Sequence, residues 1–139
     1  MAHTEDYKSL NNREIKPLTE RNVKEVYEMC ENNVRFLSHS FEIFHKATME
    51  SPLYDPDLTL VSYDLESKVN AFFMVVFRRS NILNKYRKVA VLKFFVVRKD
   101  TRNKGLGTAL FNVLNKRIKN SDKKCFRMKF EVMTSQPDY

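Results

Sequence analysis

Glycine is nearly absent from this chain: 139 residues contain two, Gly105 and Gly107, one residue apart. Every other tight turn must come from Asn, Asp, Ser or Pro, so the one place that uses glycine is a place where the backbone needs freedom. Tryptophan is absent, and cysteine occurs twice, at Cys30 and Cys125. One disulfide stays open on that count, but a reduced, cytoplasmic protein is expected. Together with His3, His39 and His45 these cysteines show no ligand-like spacing, so no metal is expected. No apolar run approaches the ~20 residues of a membrane-spanning helix. The opening MAHTEDYKSL has no apolar h-region, and neither a secretory signal nor a membrane partner is expected. At this length a single domain buries a continuous core without metal or cross-link.

Acidic residues are scarce in the second half only. Residues 1–75 carry 8 Lys/Arg against 13 Asp/Glu, whereas residues 76–139 carry 17 against 4. The basic half contains the glycine pair. A polyanionic partner fits there, either a phosphorylated cofactor or a nucleic acid, and a solvated lysine-rich surface is the plain alternative.

Residues 1–12 are polar and read as a flexible leader, leaving 13–139 as the folded domain. Glu14 to Leu18 reads as a short strand held to an edge by Pro17. Thr19 is the N-cap of a first helix from about Glu20 to Glu31, and Asn32-Asn33 breaks it. A second helix carries Val34, Leu37, Phe41, Phe44 and Thr48 on one stripe and stops near Ser51-Pro52. Leu58 to Tyr63 and Val69 to Phe77 alternate as strands about a turn at Asp64 to Lys68. The basic, Asn-rich stretch from Arg78 to Lys88 reads as an exposed loop. Val89 to Val97 is a central strand, and a helix follows with Leu106, Leu110, Val113, Leu114 and Ile118 on its core stripe. Cys125 to Met133 is the last strand. The order is β-α-α-β-β-β-α-β, which argues an α/β (α+β) fold built on a mixed sheet, with its last strand–helix–strand unit a parallel crossover. The aromatics Phe72, Phe73, Phe77, Phe94 and Phe95 are expected in the core.

A strand that passes through a glycine pair into a helix brings unpartnered first-turn N–H groups to an anion. A Walker A loop does not fit these residues. A dinucleotide fingerprint needs a small residue where Leu110 stands and an acidic residue further on, where Asp122 matches poorly. The pattern Arg/Gln-x-x-Gly-x-Gly/Ala is met in full by Arg102-Asn103-Lys104-Gly105-Leu106-Gly107.

On those residues, and on the order of elements before them, the stretch from Val89 to about Asn120 resembles motif A of the GNAT acyltransferase superfamily. The resemblance implies a mixed, mostly antiparallel sheet with helices on both faces, and acetyl-CoA as cofactor. It implies a pyrophosphate cradle made by Arg102, Asn103, Lys104, Gly105, Leu106 and Gly107 with Thr108. The pantetheine arm would lie along Phe95, Val96 and Val97 through their main chain, with an amide near Val96 or Val97 polarising the thioester.

Two departures follow. Some GNAT members carry a glutamate where this chain has Val91, and the central strand holds no carboxylate. The family also continues for another helix and two strands where this chain stops at Tyr139, so a fold truncated at its C-terminus is expected, with homodimer formation through an exposed sheet edge. Glu131 and Glu42 are the candidate bases, each with a plain reading as a surface carboxylate, and Tyr139 is a weaker candidate acid. The implied function is transfer of acetyl from acetyl-CoA to a primary amine by direct attack on the thioester. Two alternatives stand beside it: a CoA-binding or regulatory module without turnover, and a nucleic-acid-binding domain using Arg78, Arg79, Lys85, Arg87 and Lys88. No recognised nucleic-acid-binding signature backs the last, and nucleic acid is not expected as a partner.

Overall fold

Two apolar runs, Val69 to Phe77 and Val89 to Val97, are rich in β-branched and aromatic residues, and their pairing makes the centre of the sheet. In the computed structural model the described residues are 15–33, 40–82, 85–102, 105–120 and 127–130. The elements are β1 (Ile15–Pro17), α1 (Val23–Asn33), α2 (Phe41–Ala47), β2 (Thr59–Tyr63), β3 (Val69–Ile82), β4 (Lys85–Val97), α3 (Leu106–Asn120) and β5 (Arg127–Phe130), with short 3-10 turns at Pro56–Leu58 and Lys99–Thr101. The strands lie in the sheet in chain order. β1 to β4 pair antiparallel, and β5 lies parallel to β4 across the α3 connection. This is the mixed, mostly antiparallel sheet and the element order that the sequence predicts.

Two cores sandwich the sheet. On one face α1 and α2 bury Val26, Cys30 and Phe44 against Phe72, Met74, Val91 and Phe94. The rings of Phe44, Phe72 and Phe94 meet at centroid distances of 5.5–5.8 Å, in the tilted and edge-on arrangements that aromatic quadrupoles favour. On the other face α3 buries Leu106, Leu110, Leu114 and Ile118 against Leu60, Phe73, Val75 and Leu92. Cys30 belongs to the first core, and burial pushes its thiol pKa up to about 12, so it is an inert packing residue.

Turns without glycine are closed by side chains. Asp64 accepts from the N–H groups of Glu66 (2.8 Å) and Lys68 (3.0 Å), and Ser67 takes the positive φ of 62°. Burial alone would raise the Asp64 carboxyl, but the Lys68 and Glu66 amides and the Arg98 guanidinium hold it below the usual carboxylate range. Thr19 caps the approach to α1: its Oγ1 accepts from Arg21 N, and its own N–H donates to Asn22 Oδ1 at 2.8 Å. Ser40 caps α2, and the earlier part of the second helix expected from Val34 falls outside the described residues.

The expected loop from Arg78 to Lys88 is a correction. Pairing continues from Arg78↔Val89 out to Ile82↔Lys85, so the two strands form one long hairpin. Basic and Asn-rich composition describes what side chains meet, not whether the backbone is paired, and here the ladder carries on past the core. No helix among the described residues is long and apolar enough to cross a membrane.

Candidate functional site

β4 changes partners partway along. β5 pairs with it from Val89 to Leu92. Directly beyond, the register with β3 jumps from Val75↔Leu92 to Met74↔Phe94, leaving Lys93 as an extra, bulged residue. Among the described residues β4 then has β3 on one side and an unpaired edge on the other, from Phe94 to Val97. The bulge also places Lys93 on the α2 face, where Nζ donates to Ala47 O at 2.8 Å. Burial, and then the charge of Arg78, lower its pKa.

The direction of the free edge follows from the ladder. Arg98 N donates to Asn70 O on β3 at 2.8 Å. Successive residues of a strand present their main-chain groups to opposite edges, so the N–H of Val97, and that of Phe95 two residues back, point away from β3. Arg102 Nε donates to Val97 O at 2.9 Å on that same side.

From Val97 the chain makes the 3-10 turn and enters α3 through the glycines. Gly105 has φ +85°, the left-handed region that side chains disfavour, and a Cβ there would meet open space. Gly107 has ordinary helical geometry, and a Cβ would sit 3.5 Å from Phe95 Cζ. The first glycine is therefore demanded by conformation, whereas at the second a methyl would make only an ordinary contact. Ala109 N, bonded to Gly105 O at 3.0 Å, begins the helical ladder, so the first-turn amides of Leu106, Gly107 and Thr108 stand ahead of it.

These pieces border one groove of about 800 Å³. Phe95, Val96 and Val97 form its strand side; Arg102, Gly105, Leu106, Gly107 and Thr108 form its helix side. Of the ten residues expected to hold the cofactor, these eight are brought together, and Asn103 and Lys104 lie outside the described residues. Phe95 departs from the core role expected of it. It is 46% exposed, stacked on Phe73 at 4.4 Å, with its outer side towards the groove. Val91 is buried between the sheet and α1. Glu42 is exposed in the first turn of α2 and does not border the groove, while Glu131 lies outside the described residues.

Asn33, Thr101, Phe111 and Asn112 also line the groove and escaped the sequence reading. Phe111 and Asn112 stand four residues beyond Gly107 and Thr108, so helical spacing from the glycine turn is the signal that would have found them. Asn33, the last residue of α1, has no such signal. Its Oδ1 accepts from Lys99 N at 2.9 Å, and its carbonyl accepts from Arg102 Nη2 at 3.0 Å. The Arg102 guanidinium thus braces β4 and α1 through carbonyls. Among the described residues no carboxylate pairs with it, so its charge stands at the groove without a counter-ion. Arg98, by contrast, is neutralised by Asp64 (2.9 Å) and Asp100 (2.6 Å) and anchors the end of β4.

No protein-family model matches the sequence, and no curated protein sequence matches it. Solved structures do. A transcriptional regulator from Bacillus halodurans C-125 superposes with a TM-score of 0.67 at 16% identity, over 89% of this chain and 84% of that one. An aminoglycoside 6'-N-acetyltransferase from Acinetobacter haemolyticus gives 0.66 at 20% identity, over 84% of this chain and 77% of the other. Saccharomyces cerevisiae N-myristoyltransferase with bound myristoyl-CoA gives 0.67 at 17% identity, over 84% of this chain but 30% of its own. At such identities the likeness is one of fold.

Proposed function

We propose, from the premise that this chain has the GNAT acyltransferase fold, that it transfers acetyl from acetyl-CoA to a primary amine. The observation that carries the reading is a juxtaposition. Among the described residues the edge of β4 from Phe94 to Val97 is unpaired and runs straight into the first-turn amides of α3, and both border one groove. Coenzyme A has the matching chemistry: an amide-bearing arm that pairs with a strand edge, ending in a diphosphate that suits a helix start. The residues present fit it. Gly105 leaves open space above the turn, Arg102 adds a charge that no carboxylate among the described residues pairs with, and the groove volume is within the roughly 300–1,000 Å³ of small-molecule sites.

Bound acetyl-CoA would supply a thioester carbonyl for direct attack by a neutral amine, the C–N bond forming as the C–S bond breaks and coenzyme A leaving as a thiolate that takes up a proton to become the thiol. The chain's own part is to hold and polarise. The outward N–H of Val97 is the donor we assign to the carbonyl oxygen, since it lies on the free edge. Leu106, Gly107 and Thr108 N–H groups would hold the diphosphate, with Asn103 and Lys104 beside them. Glu131 would take the proton that the amine sheds, since Glu42, the other candidate, does not border the groove. A second reading, a CoA-binding module without turnover, draws on Val91, which is a buried apolar residue at the position of the family's glutamate.

Thermal unfolding with acetyl-CoA tests the proposal. At a hundred times its dissociation constant the ligand should add about 2.7 kcal/mol, which for 139 residues is a rise of about 9 °C in Tm. Free CoA should compete. Absence of any shift at millimolar ligand rejects a CoA site, and a shift without thiol release over a panel of amines selects the second reading.

A further inference from the structure

Two residues on the wall of the groove have no part in holding the arm or the diphosphate. Phe111 and Asn112 line it from α3, four positions beyond Gly107 and Thr108. They stand one turn further along the same helix face, about 6 Å on at ~1.5 Å per residue. The two are consecutive and of unlike chemistry, an aromatic ring beside a primary amide. Phe111 is held by Phe73, edge-on at 6.3 Å, and by Phe95, tilted at 6.5 Å. Asn112 is exposed, so its amide is open to a ligand. From Gly105 to Asn115 the sequence contains no charged residue. This part of the wall suits a neutral, flat group with a polar edge rather than a further phosphate.

We propose, resting on the acyl-CoA reading above, that Phe111 and Asn112 form a subsite for the adenine base of coenzyme A and give the groove a preference for adenine over other bases. Connectivity supports the placement. The diphosphate joins the arm to an adenosine, so a diphosphate at the amides of Leu106, Gly107 and Thr108 leaves the base one ribose away, on the scale of the turn from Thr108 to Asn112. The ring supplies affinity. An aromatic side chain under a nucleobase strengthens binding by about 5- to 150-fold and is indifferent to which base it meets. The amide supplies selectivity. Asn112 presents a donor and an acceptor together, and adenine offers the complement, an acceptor at N7 and a donor at its N6 amino group. Guanine offers two acceptors, N7 and O6, so the Asn112 carbonyl would face an oxygen. Both residues recognise the cofactor at its far end and touch no reacting atom.

The competing account is that Phe111 serves only the packing of Phe73 and Phe95, and that Asn112 only meets solvent. Displacement of acetyl-CoA from the full chain by ADP and by GDP separates the accounts, read by isothermal titration calorimetry for the parent, Asn112→Leu and Phe111→Leu. In the parent, ADP should displace the cofactor at a concentration at least about fivefold lower than GDP. Asn112→Leu changes an exposed helix position to a better helix former, so it should keep the parent's melting temperature while the preference shrinks to within about twofold. Phe111→Leu should weaken ADP and GDP alike, by about fivefold or more, and leave the preference in place. S-acetyl-4′-phosphopantetheine, which lacks the adenosine, should bind the parent and Asn112→Leu equally. Equal displacement by ADP and GDP in the parent overturns the proposal. So does an Asn112→Leu variant that retains the parent's preference, or one that loses S-acetyl-4′-phosphopantetheine by the same factor as acetyl-CoA, which would put Asn112 on the arm. In each of those cases acetyl-CoA still binds the parent and the acyl-CoA reading stands. Absence of acetyl-CoA binding by the parent rejects both together.

Discussion

The two glycines differ in what holds them, and substituting each by alanine separates stability from ligand binding. Gly105 sits at φ +85° with nothing within 4 Å of the place a Cβ would occupy. Alanine there meets no neighbour but must adopt a left-handed conformation, at a cost of about 1–2 kcal/mol. For a chain of 139 residues that is a drop of about 3–7 °C in Tm. Asparagine, which tolerates this region better, should recover part of the loss. Gly107 has no such φ, and its added methyl would make an ordinary 3.5 Å contact with Phe95 Cζ. In the free protein Gly107→Ala should be neutral or raise stability by up to about 1 kcal/mol, because alanine is the better helix former. In the complex the order reverses. The methyl projects between the helix start and Phe95, inside the groove, where the proposed diphosphate must approach main-chain amides. We expect at least a tenfold weaker acetyl-CoA affinity, about 1.4 kcal/mol, from a protein that is as stable as the parent. The assay is a pair of melting curves for each variant, with and without ligand. Gly107→Ala with an undiminished ligand shift refutes the placement of the diphosphate. Gly105→Ala with an unchanged melting temperature refutes the conformational reasoning.

Two further outcomes follow from side chains outside the glycine turn. His45 Nε2 faces Glu20 Oε1 at 2.8 Å and Nδ1 faces Glu50 Oε2 at 2.6 Å, so both ring nitrogens are donors and the Glu20 and Glu50 contacts raise its pKa. The stabilisation is complete below the unfolded value of about 6.5 and is lost as pH rises through the higher folded one, so Tm should decline over that window. His45→Gln should flatten the decline, and a variant with the parent's slope would refute the assignment. Arg102→Ala removes donors from Val97 O and Asn33 O, two partly exposed bonds together worth about 1–2 kcal/mol. Urea midpoints should fall accordingly at constant m-value, and Arg102→Lys should not rescue, since one ammonium cannot reproduce the guanidinium fork. Unchanged midpoints would mean that the brace contributes nothing.

The glycine turn was legible because its cause is local. A positive φ admits few residue types, and in a chain with two glycines the position declares itself. The stripe of α3 was legible for the same reason, since helical spacing is a property of the segment alone. What the sequence concealed depends on a second strand or a distant residue. The Lys93 bulge exists only relative to Met74 and Val75, and the open edge beyond it, among the described residues, only relative to β5, whose described pairing ends at Leu92. No periodicity in Val89 to Val97 announces either. Asn33 reaches the groove from 69 positions away by its carbonyl, a group every residue possesses, so nothing in its type could mark it.

Phe95 and the long hairpin show the converse error, in which composition was informative but was read against the wrong surroundings. An aromatic on a central strand is usually covered on both sides, yet Phe95 stands where the helix that should cover it begins with glycine and leaves a gap. Arg78 to Lys88 look like a loop because solvent is their usual environment, yet pairing requires only main-chain groups and a partner in register. Phe95 is 46% exposed against the usual burial of its type, and Arg78 to Lys88 are paired through main chain against the usual loop reading of theirs. β4 is buried in its middle, where β5 and both cores cover it, and among the described residues its outer edge is open from Phe94 to Val97, where it borders the groove.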